Sequence, residues 1–490
     1  MIPNYAELVR ALLPESALTV TALVVLGYDL AAGRKRTDVH RLRAAVAIGL
    51  LGLVAAAFAC FKSAVDGPVF GAIVTLDSLG LVTRLGVLLL SGLTLGMLTS
   101  MPRLRHPAEY VAVLLFATVG FTLMAVAQQL LIAFLALELA SISLYVLAGF
   151  DKTRPESAEA GLKYFLFGGI SAAFLLFGFS LLYGITGSIE LTEIARQLQS
   201  MPADPLLMVA LVMVLVAFGF KAAAAPFHLW APDVYQGAPA PSAALIASAS
   251  KLAGFTLFGR LLWSGLGPAA GGALSLTNTR PGWLSVVVVI SAVSLVLGNI
   301  AALAQSNVRR LLAYSAIAHA GALLLGIIVG GSVGPAPLFY YAATYALATV
   351  GAFGVISVVD ANSGCQSLGD LAGLFRRSPL LAGCLLVFIL SLAGIPPLAG
   401  FFGKFIVFTF ALKIDGLAGP AGWLAVLAIA MSAVSLYYYL LILKQALVVQ
   451  PATEGGRIVV PLGPAAALGL AAALLIALGI FPSALLQMIQ

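Results

Sequence analysis

Charge is scarce in this 490-residue chain: 9% of residues are Asp, Glu, Lys or Arg, against 61% that are hydrophobic. A soluble fold has too little polar surface at that ratio to cover its apolar residues. Cysteine is rarer still. Cys60, Cys365 and Cys384 stand apart, and none forms a CxxC pair. That spacing suggests neither an iron–sulfur cluster nor a structural zinc, and fits small buried hydrophobes. No GxGxxG follows a strand, and no P-loop or HExxH occurs. Gly403-Lys404 is followed by Phe405, so GFFGKF is not a Walker A motif. With no soluble nucleotide-binding segment and no redox ligand set, electrons in any redox assembly would travel through other chains. The opening MIPNYAELVRALLPES has no basic stretch and no small-residue cleavage site, and is read as retained.

What is present is a succession of apolar runs. A bilayer core is crossed by roughly 20 helical residues. The runs are continuous, not alternating, which excludes a β-barrel pattern. The expected fold is therefore an all-α polytopic membrane protein of about 14 transmembrane helices. They lie near 12–31, 43–62, 77–99, 108–127, 129–149, 159–185, 205–228, 240–263, 283–303, 310–330, 336–359, 379–411, 420–446 and 460–485.

The 26 Lys and Arg residues divide unevenly over this pattern. Sixteen follow odd-numbered helices, among them Arg34, Lys35, Arg103, Lys152, Lys163, Arg309 and Arg310; six, including Arg196, Arg260 and Arg280, lie on the other side. Four fall inside spans: Arg84, Lys221, Lys251 and Lys404. The positive-inside rule puts the sixteen in the cytoplasm and both termini outside. The net charge of +7 is thus a topology signal and implies a lipid bilayer, not a nucleic acid.

Two helices carry breaks. Pro226 interrupts the seventh, and Gly394-Ile395-Pro396-Pro397 interrupts the twelfth, whose run over 379–411 is too long for one straight crossing. The two lie five spans apart, and an odd offset reverses direction, so units of five helices would be inverted repeats. Pro226 to Pro397 is 171 residues, and Glu138 to His319 is 181. The expected division of a single transmembrane domain, 1–490, is 1–105 for three N-terminal helices, 106–270 for a first repeat, 271–450 for a second and 451–490 for the last helix. Inverted repeats with discontinuous helices are a recurrent transporter plan.

Ionisable residues fall where lipid should forbid them. Glu138 lies in the fifth helix, Lys221 near the break of the seventh, Lys251 in mid-span of the eighth, His319 in the tenth, and Lys404 just past the break of the twelfth. Each intramembrane charge costs on the order of 2.5–3.5 kcal/mol on insertion scales. Snorkelling or static ion pairing is the alternative for each lysine, weakest for Lys251. Arg84 is the residue best suited to snorkelling or pairing, with Asp77 near it. Lysines poised between desolvation and a carboxylate suit proton transfer, with Glu138 modulating Lys221 and water bridging the row. His228 and His319 are either part of that chemistry or satisfied polar groups.

FKAAAAPFHLWAPDVYQGAPAPSAALIASASKLAGF (220–255), RRLLAYSAIAHAGALLLG (309–326) and LGDLAGLFRRSPLLAGCLLVFILSLAGIPPLAGFFGKF (368–405) resemble, in order and spacing, subunit N of respiratory complex I, the proton-translocating NADH:quinone oxidoreductase. The resemblance covers essentially the whole chain. It implies an antiporter-like fold with two inverted five-helix repeats. It also implies proton-path roles for Glu138, Lys221, Lys251 and Lys404, and less defined ones for His228 and His319. NADH, FMN, iron–sulfur clusters and quinone would belong to other subunits, and the partners would be K-, M-, L-, J- and A-type membrane-arm subunits. The location would be a bacterial cell (inner) membrane, with both termini periplasmic. Mrp-type cation/proton antiporter subunits and the sister subunits L and M are the alternative. Three features favour N: HLWAPDVYQGAP replaces their WLPDAH-type pattern, Lys404 stands where M has an acid, and no lateral helix follows the fourteenth. AAAA before Pro226 replaces bulkier residues common in the family, with no expected effect on function.

Overall fold

A computed structural model of the chain describes residues 5–33, 36–63, 67–101, 104–201, 204–272, 282–417, 419–450 and 456–489. Arg34, Lys35, Arg103 and Arg280 of the charge pattern, and the division point at 451, lie outside the described residues. The crossings are α1 (Leu13–Ala31), α2 (Asp38–Lys62), α3 (Ser78–Leu98), α4 (Pro107–Val126), α5 (Leu130–Ala148) and α6 (Pro155–Thr186). After them come α7 (Pro205–Ala222, then Trp230–Gly237), α8 (Ala240–Ala247, then Ala249–Arg260), α9 (Trp283–Leu303) and α10 (Val308–Val333). The last are α11 (Ala336–Ser363), α12 (Pro379–Ala393, then Ala399–Asp415), α13 (Pro420–Leu447) and α14 (Leu462–Ile480). Among the described residues, 13 helices are long and apolar enough to cross a bilayer. The two halves of α12 make the remaining crossing, so the expected count stands.

Helix starts follow local chemistry. Pro occupies the first turn of α4, α6, α7, α12 and α13, where its missing N–H costs nothing. Asn307 caps α10 by accepting from the N–H groups of Arg309 and Arg310 at 2.9 and 3.1 Å. The short AVAQQ junction ends α4 sharply, because residues Ala127 to Gln129 are extended. Ala127 bridges to Val74 and Gln129 to Glu190. Val74 belongs to a small hairpin of β1 (Gly67–Val69) and β2 (Val74–Leu76).

Both expected breaks are present, and both begin with a left-handed residue. Ala223 has φ +56° and Gly394 +84°. The first half of α7 ends at Ala222, earlier than the 228 expected from hydropathy. The sequence stays apolar through the break, which is why composition did not mark its start. Fixed partners satisfy its backbone: Ala224 N donates to Gly219 O at 2.8 Å, Ala225 N to Ser294 Oγ of α9 at 2.8 Å, and Trp230 Nε1 to Phe220 O at 3.1 Å. In α12, Gly400 N donates to Ser391 Oγ at 3.1 Å, and a Cβ at Gly400 would collide with the Ser391 carbonyl. A third irregularity, in α8, has no proline. Ser248 leaves helical geometry (φ −113°, ψ −83°) and its Oγ donates back to Ala244 O at 2.6 Å.

α8, α10 and α11 are buried over most of their span windows (100%, 89% and 94%), whereas α1, α6 and α13 bury one third (33%). The apolar perimeter therefore faces lipid or neighbouring chains, and the interior is built on α8, α10 and α11. α11 packs against α3, α8, α10, α12 and α14. The second half of α7 is fastened by Asp233, whose carboxylate takes Lys163 Nζ of α6 at 2.5 Å and Arg310 Nη1 of α10 at 2.5 Å.

Two charge placements differ from expectation. Of the two expectations for Arg84, pairing holds and snorkelling does not, but the partner is not Asp77. Arg84 is 1% exposed and pairs with Glu15 of α1 at 3.0 Å, because its face of α3 turns inward. Asp77 caps α3 by accepting from Gly80 N at 2.7 Å and pairs with Arg260 at 2.5 Å. Arg260 is consequently not a loop residue but the buried end of α8.

Candidate functional site

Lys221 occupies the last turn of the first half of α7. There the carbonyl end of the helix presents the negative pole of the helix dipole, which favours a cation. Its Nζ donates to Ser141 Oγ of α5 at 3.3 Å. Ser141 lies one helical turn after Glu138, which is half-buried and within Coulombic reach of Lys221. The stem of Lys221 packs beside Gly254 of α8.

Lys251 stands one turn after the Ser248 irregularity. It is 2% exposed, donates to Ala316 O of α10 at 2.5 Å, and lies 5.4 Å from the centre of the Tyr345 ring of α11. Lys221 and Lys251 border one small cavity of about 10 Å3, walled by Phe218, Gly254, Phe255 and Phe258. One buried water needs roughly 10–15 Å3 on this scale.

His319 packs against the same Tyr345 ring, with ring centres 4.8 Å apart. Its Nδ1 meets Tyr341 Oη at 2.7 Å and its Nε2 meets Tyr439 Oη at 3.1 Å; Tyr439 in turn bonds Ser315. A neutral imidazole has one donor and one acceptor nitrogen. One tyrosine therefore donates to the ring while the other accepts from it, and a proton arriving at His319 obliges both to accept. The chain of hydroxyls is built to rearrange when the ring changes charge.

Lys404 completes the row. It sits in the second half of α12, and its Nζ reaches back to Ala393 O at 3.2 Å, the carbonyl end of the first half. Both break lysines are thus held at the negative pole of a half-helix. Lys404, His319 and Tyr341 border a cavity of about 20 Å3, also lined by Asn299, Ser432, Ser435 and Tyr438. Tyr438 Oη donates to Asn299 Oδ1 at 2.9 Å. These groups can hold a water by hydrogen bonds.

The structure therefore brings together Glu138, Lys221, Lys251, His319 and Lys404. His228 is buried in the break of α7, but among the described residues no hydrogen bond joins it to that row. Sequence reasoning missed Ser141, Tyr341, Tyr345, Tyr438, Tyr439 and Asn299. Tyr341 and Tyr345 are spaced i, i+4, a signal that they share one face of α11.

Broken helices five crossings apart, with a buried cationic row between them, define an antiporter-like membrane transport subunit. The family described as NADH:quinone oxidoreductase/Mrp antiporter, TM, matches residues 127–434. "NADH-quinone oxidoreductase subunit N 2" of Acidobacterium capsulatum is 47% identical, with 99% of each chain covered. A chain of respiratory complex I from Thermus thermophilus with bound Aureothin superposes with TM-score 0.78 and 35% identity, over 97% of this chain and 98% of that one. A chain of the Mrp complex from Dietzia sp. shares the fold alone, at TM-score 0.79 and 22% identity, over 97% of this chain and 96% of that one. The chain belongs to the NADH:quinone oxidoreductase/Mrp antiporter family, in its NADH-quinone oxidoreductase subunit N branch.

Proposed function

We propose that this chain moves protons across a membrane as an antiporter-like subunit of a proton-translocating NADH:quinone oxidoreductase. The single observation that supports it most is the succession of buried ionisable groups from Lys221 through Lys251 and His319 to Lys404, each sharing a small cavity or a ring contact with the next, inside a shell of apolar helices. Glu138 modulates Lys221. Lys221 and Lys251 load a proton through water at the break of α7. His319 with Tyr341 and Tyr439 passes it to Lys404, and His228 lies at the mouth of the break. Residues 106–270 and 271–450 act as the two inverted repeats, after three N-terminal helices in 1–105 and before the last helix in 451–490. NADH, FMN, iron–sulfur clusters and quinone are held by other subunits, and this chain docks beside K-, M-, L-, J- or A-type membrane-arm subunits. The chain sits in a bacterial inner membrane with both termini in the periplasm.

The experiment is proton and sodium flux in liposomes carrying the purified assembly. NADH and quinone are expected to drive proton movement that a permeant uncoupler abolishes. Sodium-driven proton exchange without NADH would instead make the chain an Mrp-type antiporter subunit.

The tyrosine pair has its own test. Tyr341→Phe or Tyr439→Phe is expected to lower coupled turnover about fivefold, the effect of a lost hydrogen bond worth roughly 1 kcal/mol. Ser315→Ala, which touches the ring only through Tyr439, should cost less. Equal rates in all three would remove the tyrosines from the path.

A further inference from the structure

A pump needs a closed route as much as an open one. A proton held between Lys221 and Lys251 must not leave directly to the outside. By the charge asymmetry of the loops, α7 enters from the outer side and α8 runs back toward it. Phe218, three residues before Lys221, is therefore about one turn outward of it, and Phe258, seven residues after Lys251, about two turns outward. Their rings stack with centres 4.6 Å apart and planes 14° apart. Both are almost fully buried, at 2% and 3% exposure. With Phe255 they form the aromatic wall of the lysine cavity.

A second layer lies beyond them. Arg260, at the outer end of α8, donates its Nε–H to Ala125 O at 2.8 Å and pairs through Nη2 with Asp77 at 2.5 Å. Its side chain is 6% exposed. A guanidinium does not give up its proton in proteins, so it cannot relay one, and here its donors are held by Asp77 and the Ala125 carbonyl. The cavity beside Lys404 is walled differently, with Asn299, Ser432, Ser435 and Tyr438 among aliphatic side chains. The cavity at Lys221 and Lys251 presents rings, and the one at Lys404 offers hydrogen-bonding groups as well.

We propose that the Phe218–Phe258 stack, backed by the Arg260–Asp77 pair, is a proton seal that closes the first repeat to the outside and leaves the sideways step from Lys251 toward His319 open. An apolar constriction of this kind blocks by staying dry. The seal rests on the proton-translocation reading above, and its test does not depend on turnover.

The test is passive proton conductance of the whole assembly in liposomes under an imposed pH gradient, with no NADH added. Phe218→Ala and Phe258→Ala are each expected to raise conductance about tenfold, the change that follows a barrier lowered by roughly 1.4 kcal/mol. With NADH, the protons moved per electron should fall while electron transfer continues. Phe258→Leu keeps apolar bulk and should stay tight. Should the alanine variants assemble poorly, Phe218→Tyr keeps the ring and adds a hydroxyl that water can follow. The same leak is expected there, and its absence counts against the seal. Native conductance in the variants that assemble, with unchanged protons per electron, overturns the proposal. Failure of the native assembly to pump would instead overturn the functional reading, with the leak comparison still readable.

Discussion

Lys251→Met is expected to reduce NADH-driven proton movement by about tenfold or more, with the chain still assembled. Methionine matches the length and apolar stem of lysine but carries no proton. The side chain is 2% exposed and its ammonium is tied to Ala316 O at 2.5 Å, so it has no route to the membrane surface. It also stands between the two small cavities, bordering one and reaching the Tyr345 ring that contacts His319. Removing it takes one charged group out of the row, where adjacent helices stand roughly 8–10 Å apart. A loss of even 1.4 kcal/mol in barrier terms corresponds to about tenfold. Lys251→Arg separates the two readings of this charge. Arginine restores a permanent cation but does not release its proton. A carrier role therefore predicts that Arg fails much as Met does, whereas a static structural charge predicts that Arg rescues. The measurement is proton uptake alongside NADH oxidation in liposomes, with assembly checked by co-purification.

Glu15→Ala is expected to destabilise the chain by about 3–5 kcal/mol, the cost of leaving a buried charge without its partner. Arg84 and Glu15 have side chains only 2% and 6% exposed, with 3.0 Å between Nη2 and Oε1. The same guanidinium donates to Ala11 O at 3.2 Å. The pair joins α1 to α3 and so pins the first helix to the body of the protein. Glu15→Leu combined with Arg84→Met should recover most of the loss, since replacing a whole buried pair by apolar groups is often neutral. Thermal unfolding in detergent reads both. A double variant no better than Glu15→Ala alone would mean that Arg84 is held by something other than Glu15.

The helices were legible because the bilayer imposes a strict rule on length and composition. Pro226 and Pro397 marked the two breaks for a similarly simple reason, since each removes a backbone donor. The charged members of the row were legible because lipid makes any charge conspicuous. Other parts were hidden by the same logic. Tyr341, Tyr345 and Tyr439 are ordinary residues in an apolar helix, and only packing shows that they converge on His319. Ser248 looks like a tolerated helix residue, yet it departs from helical geometry beside Lys251. The partners of Arg84 and Asp77 were exchanged relative to the nearest-neighbour expectation. Seven residues on a helix return to almost the same face, but the cap position turned Asp77 toward α8.

The short second half of α7 has an awkward allegiance. It continues the helix that carries Lys221, yet Asp233 ties it at once to α6 and to α10, and the break before it is stitched to α9 through Ser294. Mechanically it is a beam resting on two piers. A tilt of this segment would load its ties to α6 and α10 together.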